Sequence, residues 1–174
     1  MELTVLVAYA TRSGSTAELA HRVAEVLREY GMKADVLPAR EVRSVLEYNA
    51  VVVVAALYIG RLHRDARHFL DRYRQRLKEL PVALFVPGPV QNVEKDFAAA
   101  RQQLDKQLMR WPWLSPVAAQ VVGGVWNPAS LGFPYTLIPA LRRVKATDAR
   151  DWEGIRAAAR DVAACLQAEL HAHA

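Results

Sequence analysis

Cysteine is almost absent from this sequence, with Cys165 alone among 174 residues. A single thiol forms neither an intramolecular disulfide nor a sulfur-ligated metal cluster, so we expect no metal site. Because Cys165 lies among alanines and a leucine in a helical pattern, we interpret it as a small apolar residue of the core.

Long apolar runs are also missing. No window approaches the roughly 18 consecutive apolar residues of a membrane span, and the N-terminus lacks the basic region and cleavage site of a secretory signal. We therefore expect a cytoplasmic protein, with a peripheral position on the inner membrane surface as the alternative. With 52% hydrophobic residues, residues 1–174 suffice for one core, and we predict a single domain.

Acidic residues are outnumbered, since 23 lysines and arginines against 18 aspartates and glutamates give a formal charge of +5. The basic residues cluster in two stretches, 61–78 and 142–145. A solvated helix face explains such stretches, and the alternative is attraction to a carboxylated ligand or an acidic lipid surface. Nucleic acid is disfavoured as a partner because no recognised binding motif accompanies the charge.

Apolar runs alternate with helical patterns along the chain. We predict strands at 3–9, 33–37, 50–57, 82–86 and 117–125, and helices at 16–30, 65–80, 97–109 and from 151 onward. Five fully apolar strands separated by helices indicate an α/β fold, a doubly wound five-stranded parallel sheet with helices on both faces. Ligands of such folds bind outside the carboxyl ends of the strands. The loops that follow Tyr9, Leu57, Val86 and Val125 are therefore the candidate site.

The first of these loops carries the strongest motif. Four hydroxyl side chains surround Gly14 between a buried strand and a helix start, namely those of Thr11, Ser13, Ser15 and Thr16. Hydroxyl donors, close backbone N–H groups and the positive end of a helix dipole suit a phosphate dianion. The loop is neither a Walker A loop nor a Gly-x-Gly-x-x-Gly turn. The alternative is a capping box formed by Ser15 and Glu18, which leaves Thr11 and Ser13 unexplained.

A receiver domain would share this architecture but needs acidic residues at the ends of its first and third strands. Segments 8–16 and 55–63 contain no acid, which excludes that class.

The stretch 7–23 resembles the flavodoxin signature, which it matches at Tyr9, Thr11, Gly14, Thr16, Ala20 and Val23 and from which it departs at Ala8. The resemblance implies a flavodoxin-like fold and FMN as cofactor. It also implies that the FMN phosphate is held by Thr11, Arg12, Ser13, Gly14, Ser15 and Thr16.

Segments 55–63, 122–126 and 151–153 resemble the menaquinone-dependent protoporphyrinogen oxidase branch of the same superfamily. The resemblance adds cofactor-binding residues in the second and third loops, namely Leu57, Tyr58, Ile59, Gly60, Pro87, Gly88 and Pro89. The third loop has no aromatic ring, so stacking on the flavin falls to Tyr58 on one side. The alternative for Tyr58 is packing on the sheet edge.

By this resemblance the chain is an FMN-dependent enzyme that oxidises protoporphyrinogen IX with a quinone as acceptor. Arginines could pair the propionates of the substrate, and a histidine suits proton transfer near neutral pH. The candidate substrate residues are Arg61, Arg64, His63, Trp126, Arg142 and Arg143. Solvent exposure is the alternative for His63, and capping of the core is the alternative for Trp126.

Three other functions stay open at this point: a flavodoxin-type electron carrier, a scaffold that has lost flavin, and a nicotinamide-dependent quinone reductase. The positive net charge disfavours the carrier, since classical flavodoxins are acidic.

The insert 126–145 combines apolar and basic residues, so we interpret it as a contact with substrate or an anionic membrane, or as a core or homodimer contact.

Overall fold

The computed structural model describes residues 3–12, 14–91, 93–128, 137–143 and 145–172, with the backbone alone at 141 and 142. The strands are β1 (Thr4–Ala10), β2 (Lys33–Pro38), β3 (Ala50–Ala55), β4 (Leu57–Tyr58), β5 (Arg61–Leu62), β6 (Val82–Pro87), β7 (Ala118–Val122), β8 (Val125–Trp126) and β9 (Thr147–Asp148). The helices are α1 (Ser15–Glu29), α2 (Arg64–Arg72), α3 (Arg74–Leu77), α4 (Glu94–Leu108), α5 (Pro139–Arg142) and α6 (Trp152–Ala172), with a 3₁₀ turn at Ala39–Glu41.

The central sheet has five parallel strands in the order β2-β1-β3-β6-β7. This confirms the predicted doubly wound, flavodoxin-like α/β fold. The strand order reverses between β1 and β3, and a crevice opens at such a switch point at the carboxyl ends of the strands. The loops after β1 and β3 therefore lie side by side.

Alternate residues of each strand enter two separate cores, as the period of a strand requires. In β1, Val5 and Val7 pack with α1 and α6 on one face. Leu6 and Ala8 pack on the other face with residues from α2, α3 and α4. Covering on both faces explains why the strands are continuously apolar in sequence.

Three predicted elements end earlier than the hydrophobic pattern suggests. The helix predicted at 65–80 is two helices, because Tyr73 leaves the helical conformation (φ −100°, ψ 14°) and donates from its hydroxyl to the Val42 carbonyl at 2.7 Å. The fifth strand stops at Val122, since Gly123 and Gly124 turn the chain into β8. A Cβ at Gly123 would overlap the Ala149 carbonyl oxygen, so the close approach requires glycine.

The third strand likewise stops at Ala55, and Leu57 belongs to a separate β4–β5 hairpin. Among the described helices, none is long and apolar enough to cross a membrane. Cys165, expected in the core, is half-buried on α6.

Candidate functional site

The loop after β1 joins the sheet to the first turn of α1. Gly14 is the N-cap of α1 and adopts the left-handed conformation with φ 88°, which glycine reaches without strain. The Thr11 hydroxyl oxygen accepts the N–H of Gly14 at 2.9 Å and closes the loop. Thr16, 2% exposed, is the polar residue buried in the described core. Ser13 falls outside the described residues.

The structure contradicts the capping box. Gly14 carries no side chain, so α1 begins without a side-chain cap, and Ser15 is already its first residue. Intrahelical hydrogen bonds begin with the N–H groups of Ala17 and Glu18, which both bond the Gly14 carbonyl. The N–H groups of Ser15 and Thr16 precede them and face the loop end of the helix dipole. An uncapped helix terminus beside hydroxyl side chains fits the phosphate of FMN.

Glu18, which a capping box would turn back toward Ser15, instead pairs with Arg150 at 2.5 Å. The Arg150 side chain is only 14% exposed, also binds Asp148 at 2.6 Å and stacks over the Trp152 ring at 4.7 Å. Its hydrogen bonds raise the pKa of Arg150 and lower the pKa of Asp148. Arg150 thus joins the first turn of α1 to β9, the strand that follows the insert.

The loop after β3 is a tight two-residue hairpin. Leu57 pairs with Leu62 and Tyr58 with Arg61, leaving Ile59 and Gly60 as the turn. Both turn residues have positive φ, 49° at Ile59 and 70° at Gly60, as a type I′ turn requires. Ile59 is β-branched, which makes its positive φ a strained conformation, and its side chain is 85% exposed.

A basic cavity of about 520 Å³ lies beside this hairpin. Its lining includes Arg12, Arg61, Arg64, Arg67, Tyr58 and His63. The Arg12 guanidinium lies 5.9 Å from the centroid of the Tyr58 ring, so the two site loops meet here. The structure thus brings the predicted cofactor residues Arg12 and Tyr58 together with the predicted substrate residues Arg61 and His63.

His63 has a structural role in this cavity. Its Nδ1 accepts the backbone N–H of Asp65 at 3.2 Å and caps α2, and its ring contacts Tyr58 edge to face at 6.0 Å. Burial lowers the pKa of His63, the Asp65 carboxylate opposes that shift, and Arg12, Arg64 and Arg67 reinforce it. Burial also raises the pKa of the Tyr58 hydroxyl, against the influence of Arg12. Burial therefore favours the neutral form of His63, which is half-buried, and its part in proton transfer stays a prediction.

Backbone hydrogen bonds join the third loop to the turn after β7. Pro87 ends β6 and is buried, Gly88 donates to the Val122 carbonyl at 3.1 Å, and the Pro89 carbonyl accepts from Gly124 at 2.7 Å. Pro89 is also buried, whereas Gly88 is half-buried. Of the three predicted cofactor residues in this loop, Gly88 is the least buried, and none carries an aromatic ring.

The remaining predicted substrate residues lie in the insert, where the structure describes part of the chain. Trp126 in β8 pairs with Thr147 in β9, and the indole Nε1 and the Thr147 hydroxyl are buried with no hydrogen-bond partner among the described residues. Arg143 is exposed after α5, as are Leu137 and Ile138 before it. Arg142 is described by its backbone alone, so its role stays a prediction.

Arg67 and Arg150 are the two residues of this edge whose roles sequence reasoning missed. The spacing of Arg64 and Arg67 places both on one helix face, but Arg64 alone was predicted to contact substrate, and Arg67 was grouped with the basic stretch 61–78. No sequence signal marks Arg150, because its partner Glu18 is 132 positions away.

Comparisons with known proteins agree with this geometry. A family model described as a flavodoxin domain matches residues 6–138. The protoporphyrinogen IX dehydrogenase [quinone] of Escherichia coli strain K12 is 26% identical over 172 residues, which cover 92% of this chain and 95% of that one. This agrees with the branch to which segments 55–63, 122–126 and 151–153 were compared.

Solved flavodoxins share the fold at low identity. A flavodoxin from the domain Archaea is 12% identical with a TM-score of 0.59, covering 95% of this chain and 99% of that one. The flavodoxin of Streptococcus pneumonia TIGR4 is 18% identical with a TM-score of 0.55, covering 96% and 99%.

Proposed function

The chain belongs to the flavodoxin domain family, takes FMN as its cofactor and is an oxidoreductase, and from this premise we propose that it oxidises protoporphyrinogen IX with a quinone as acceptor. In each turnover the donor loses a hydride and a proton, and the quinone gains both to become a quinol. FMN supplies the two-electron chemistry when bound, and the protein supplies binding, orientation and electrostatics.

The phosphate of FMN would be held by the loop after β1, from Thr11 to Thr16, through hydroxyl groups and the first-turn N–H groups of α1. The β4–β5 hairpin, with Leu57, Tyr58, Ile59 and Gly60, and the third loop, with Pro87, Gly88 and Pro89, would flank the flavin ring. Because the Nδ1 of His63 accepts the N–H of Asp65, neutral His63 carries its proton on Nε2 and would present that N–H to the substrate as a hydrogen-bond donor.

The observation that carries the proposal is the basic cavity beside the phosphate loop. An electron carrier needs a surface for a protein partner, whereas a cavity of about 520 Å³ lined by arginines suits a small anionic donor. Protoporphyrinogen carries two propionates on an apolar macrocycle. Arg61 lines the cavity, and Trp126, Arg142 and Arg143 would complete the contact from the insert, together with the quinone or an anionic membrane surface.

The test is an anaerobic assay of FMN-loaded protein with protoporphyrinogen IX and a soluble menaquinone analogue. Porphyrin fluorescence should appear in proportion to the protein, without any partner protein. Matched controls are the same protein without quinone and free FMN at the same concentration. Porphyrin formation no faster than with free FMN would overturn the proposed enzyme activity.

The second candidate is a flavodoxin-type electron carrier, which the fold of the solved neighbours favours. A carrier would be reduced only when a dedicated reductase is supplied. Reduction of the bound flavin by protoporphyrinogen in a single-turnover mixture, with no reductase present, separates the two functions.

A further inference from the structure

Arginines from three separate elements converge on the basic cavity. Arg12 comes from the loop after β1, Arg61 from β5, and Arg64 and Arg67 from the first turns of α2. None of the described residues that line the cavity is acidic, and the Asp65 carboxylate lies 3.8 Å from the Arg64 guanidinium. Convergent positive charge in a partly enclosed space attracts an anion.

Arg67, which lines this cavity, has a hydrogen-bond donor without an acceptor among the described residues. Its Nε is buried and has no hydrogen-bond partner among the described residues. A buried N–H without an acceptor is costly, and the planar fork of an arginine matches the two oxygens of a carboxylate. Arg64 lies three residues earlier on the same helix face, and its side chain is 75% exposed.

Ile59, Leu62 and the ring of Tyr58 supply apolar surface to the same cavity. Leu62 is buried, and the Tyr58 ring borders the same cavity. Inorganic anions gain little from such walls, whereas a carboxylate carried on a large apolar ring system buries surface against them.

We propose that Arg12, Arg64 and Arg67 form a carboxylate site, separate from the uncapped end of α1, that holds one propionate of a tetrapyrrole donor. This inference rests on the proposed function and deepens it. Arg67 is the specificity-determining residue because its Nε and terminal nitrogens can engage both carboxylate oxygens. Arg12 is shared by the phosphate loop and this site, so occupancy of the two is linked.

The experiment titrates FMN-loaded protein with protoporphyrin IX and with its uncharged dimethyl ester, following the Soret band. Wild-type protein should bind the acid roughly tenfold or more tightly than the ester, since a hydrogen bond between charged groups accounts for about that factor. Arg67→Met should abolish most of this preference, and Arg67→Lys should restore part of it because charge returns without the fork.

Arg74→Met is the matched control. Arg74 is an exposed arginine on α3 outside the cavity, so its loss makes the same change in net charge and should keep the wild-type preference. FMN affinity, measured in parallel, checks that Arg67→Met folds. Arg64→Met provides a second test, because a largely exposed side chain can be replaced without disturbing the core.

Equal binding of acid and ester by wild-type protein, or equal preferences in Arg67→Met and Arg74→Met, would overturn the site. Porphyrin formation with no acid preference would overturn the site and leave the proposed oxidation standing. An acid preference that depends on Arg67, without porphyrin formation, would support the site and overturn the oxidation.

Discussion

The loops after β1 and β3 occupy neighbouring positions at the switch point of the sheet, yet they are built by opposite means. In the first loop the left-handed residue is Gly14, which tolerates φ 88° at no steric cost. In the second loop Ile59 holds φ 49° with a β-branched side chain, which costs about 1–2 kcal/mol. The first loop is relaxed and the second is strained.

The difference extends to the two proposed anion sites. The proposed phosphate site would use the backbone N–H groups of α1 and short hydroxyl side chains, which come from one short segment of the chain. The second gathers long arginine side chains from separate elements around the cavity. A local site suits the constant phosphate of a cofactor, whereas a site assembled by tertiary contacts can be fitted to a particular donor.

The largest expected effect is on the affinity for FMN, when Thr11 and Thr16 in the first loop are replaced together by alanine. Each hydrogen bond to a charged phosphate is worth about 1.5–3 kcal/mol, so the Kd for FMN should rise by roughly a hundredfold or more if both are lost. Quenching of flavin fluorescence measures the Kd.

Riboflavin provides the control because it lacks the phosphate. Its affinity should hardly change in the double variant, and the thermal midpoint without flavin should show that the variant folds. An FMN affinity that falls no more than the riboflavin affinity would show that this loop does not hold the phosphate.

The contrast also explains which features were predictable from sequence. The five-stranded parallel sheet and the loop at Thr11, Gly14 and Thr16 were predictable, because buried parallel strands and a glycine between hydroxyls leave local patterns. The β4–β5 hairpin was not, since Ile59 in a type I′ turn violates the preference for Asn or Gly. Gly60 suits the second position of this turn, but Ile59 does not suit the first.

Long-range side-chain contacts account for the other differences. Tyr73 has ordinary helical neighbours, and its hydroxyl contact with Val42 at 2.7 Å accompanies the break between α2 and α3. Likewise Arg150 joins Glu18 and Asp148 across the fold. Apolar periodicity carries no information about either contact.

An effect of intermediate size, on the free energy of unfolding, is expected at the strained turn. Ile59→Asn should stabilise the protein by about 1 kcal/mol, because asparagine adopts positive φ more easily and Asn-Gly is the preferred type I′ pair. Urea unfolding of the flavin-free protein measures the change. Ile59→Val is the control, since valine is also β-branched and keeps the strained positive φ, so it should gain nothing.

The activity of Ile59→Asn is a second measurement on the same variant. If the strain at Ile59 serves the site, Ile59→Asn should be more stable but slower in the porphyrinogen assay. A variant with unchanged stability would mean that the flanking strands, and not the side chain, set the cost of the turn.

The smallest effect should be a pH dependence confined to the second loop. Burial lowers the pKa of His63 below its ordinary 6.5, so below about pH 6.5 the unfolded chain binds a proton that the folded chain resists, and stability falls as pH decreases. His63→Asn keeps an oxygen acceptor for the Asp65 N–H but cannot titrate. Between about pH 7.5 and about pH 5.5, wild-type protein should therefore lose more urea stability than His63→Asn.

His68→Asn removes an exposed histidine from the same helix and should keep the wild-type dependence of stability on pH. Identical slopes in all three proteins would mean that protonated His63 is accommodated in the fold, and the hairpin would then be no more sensitive to acid than the phosphate loop.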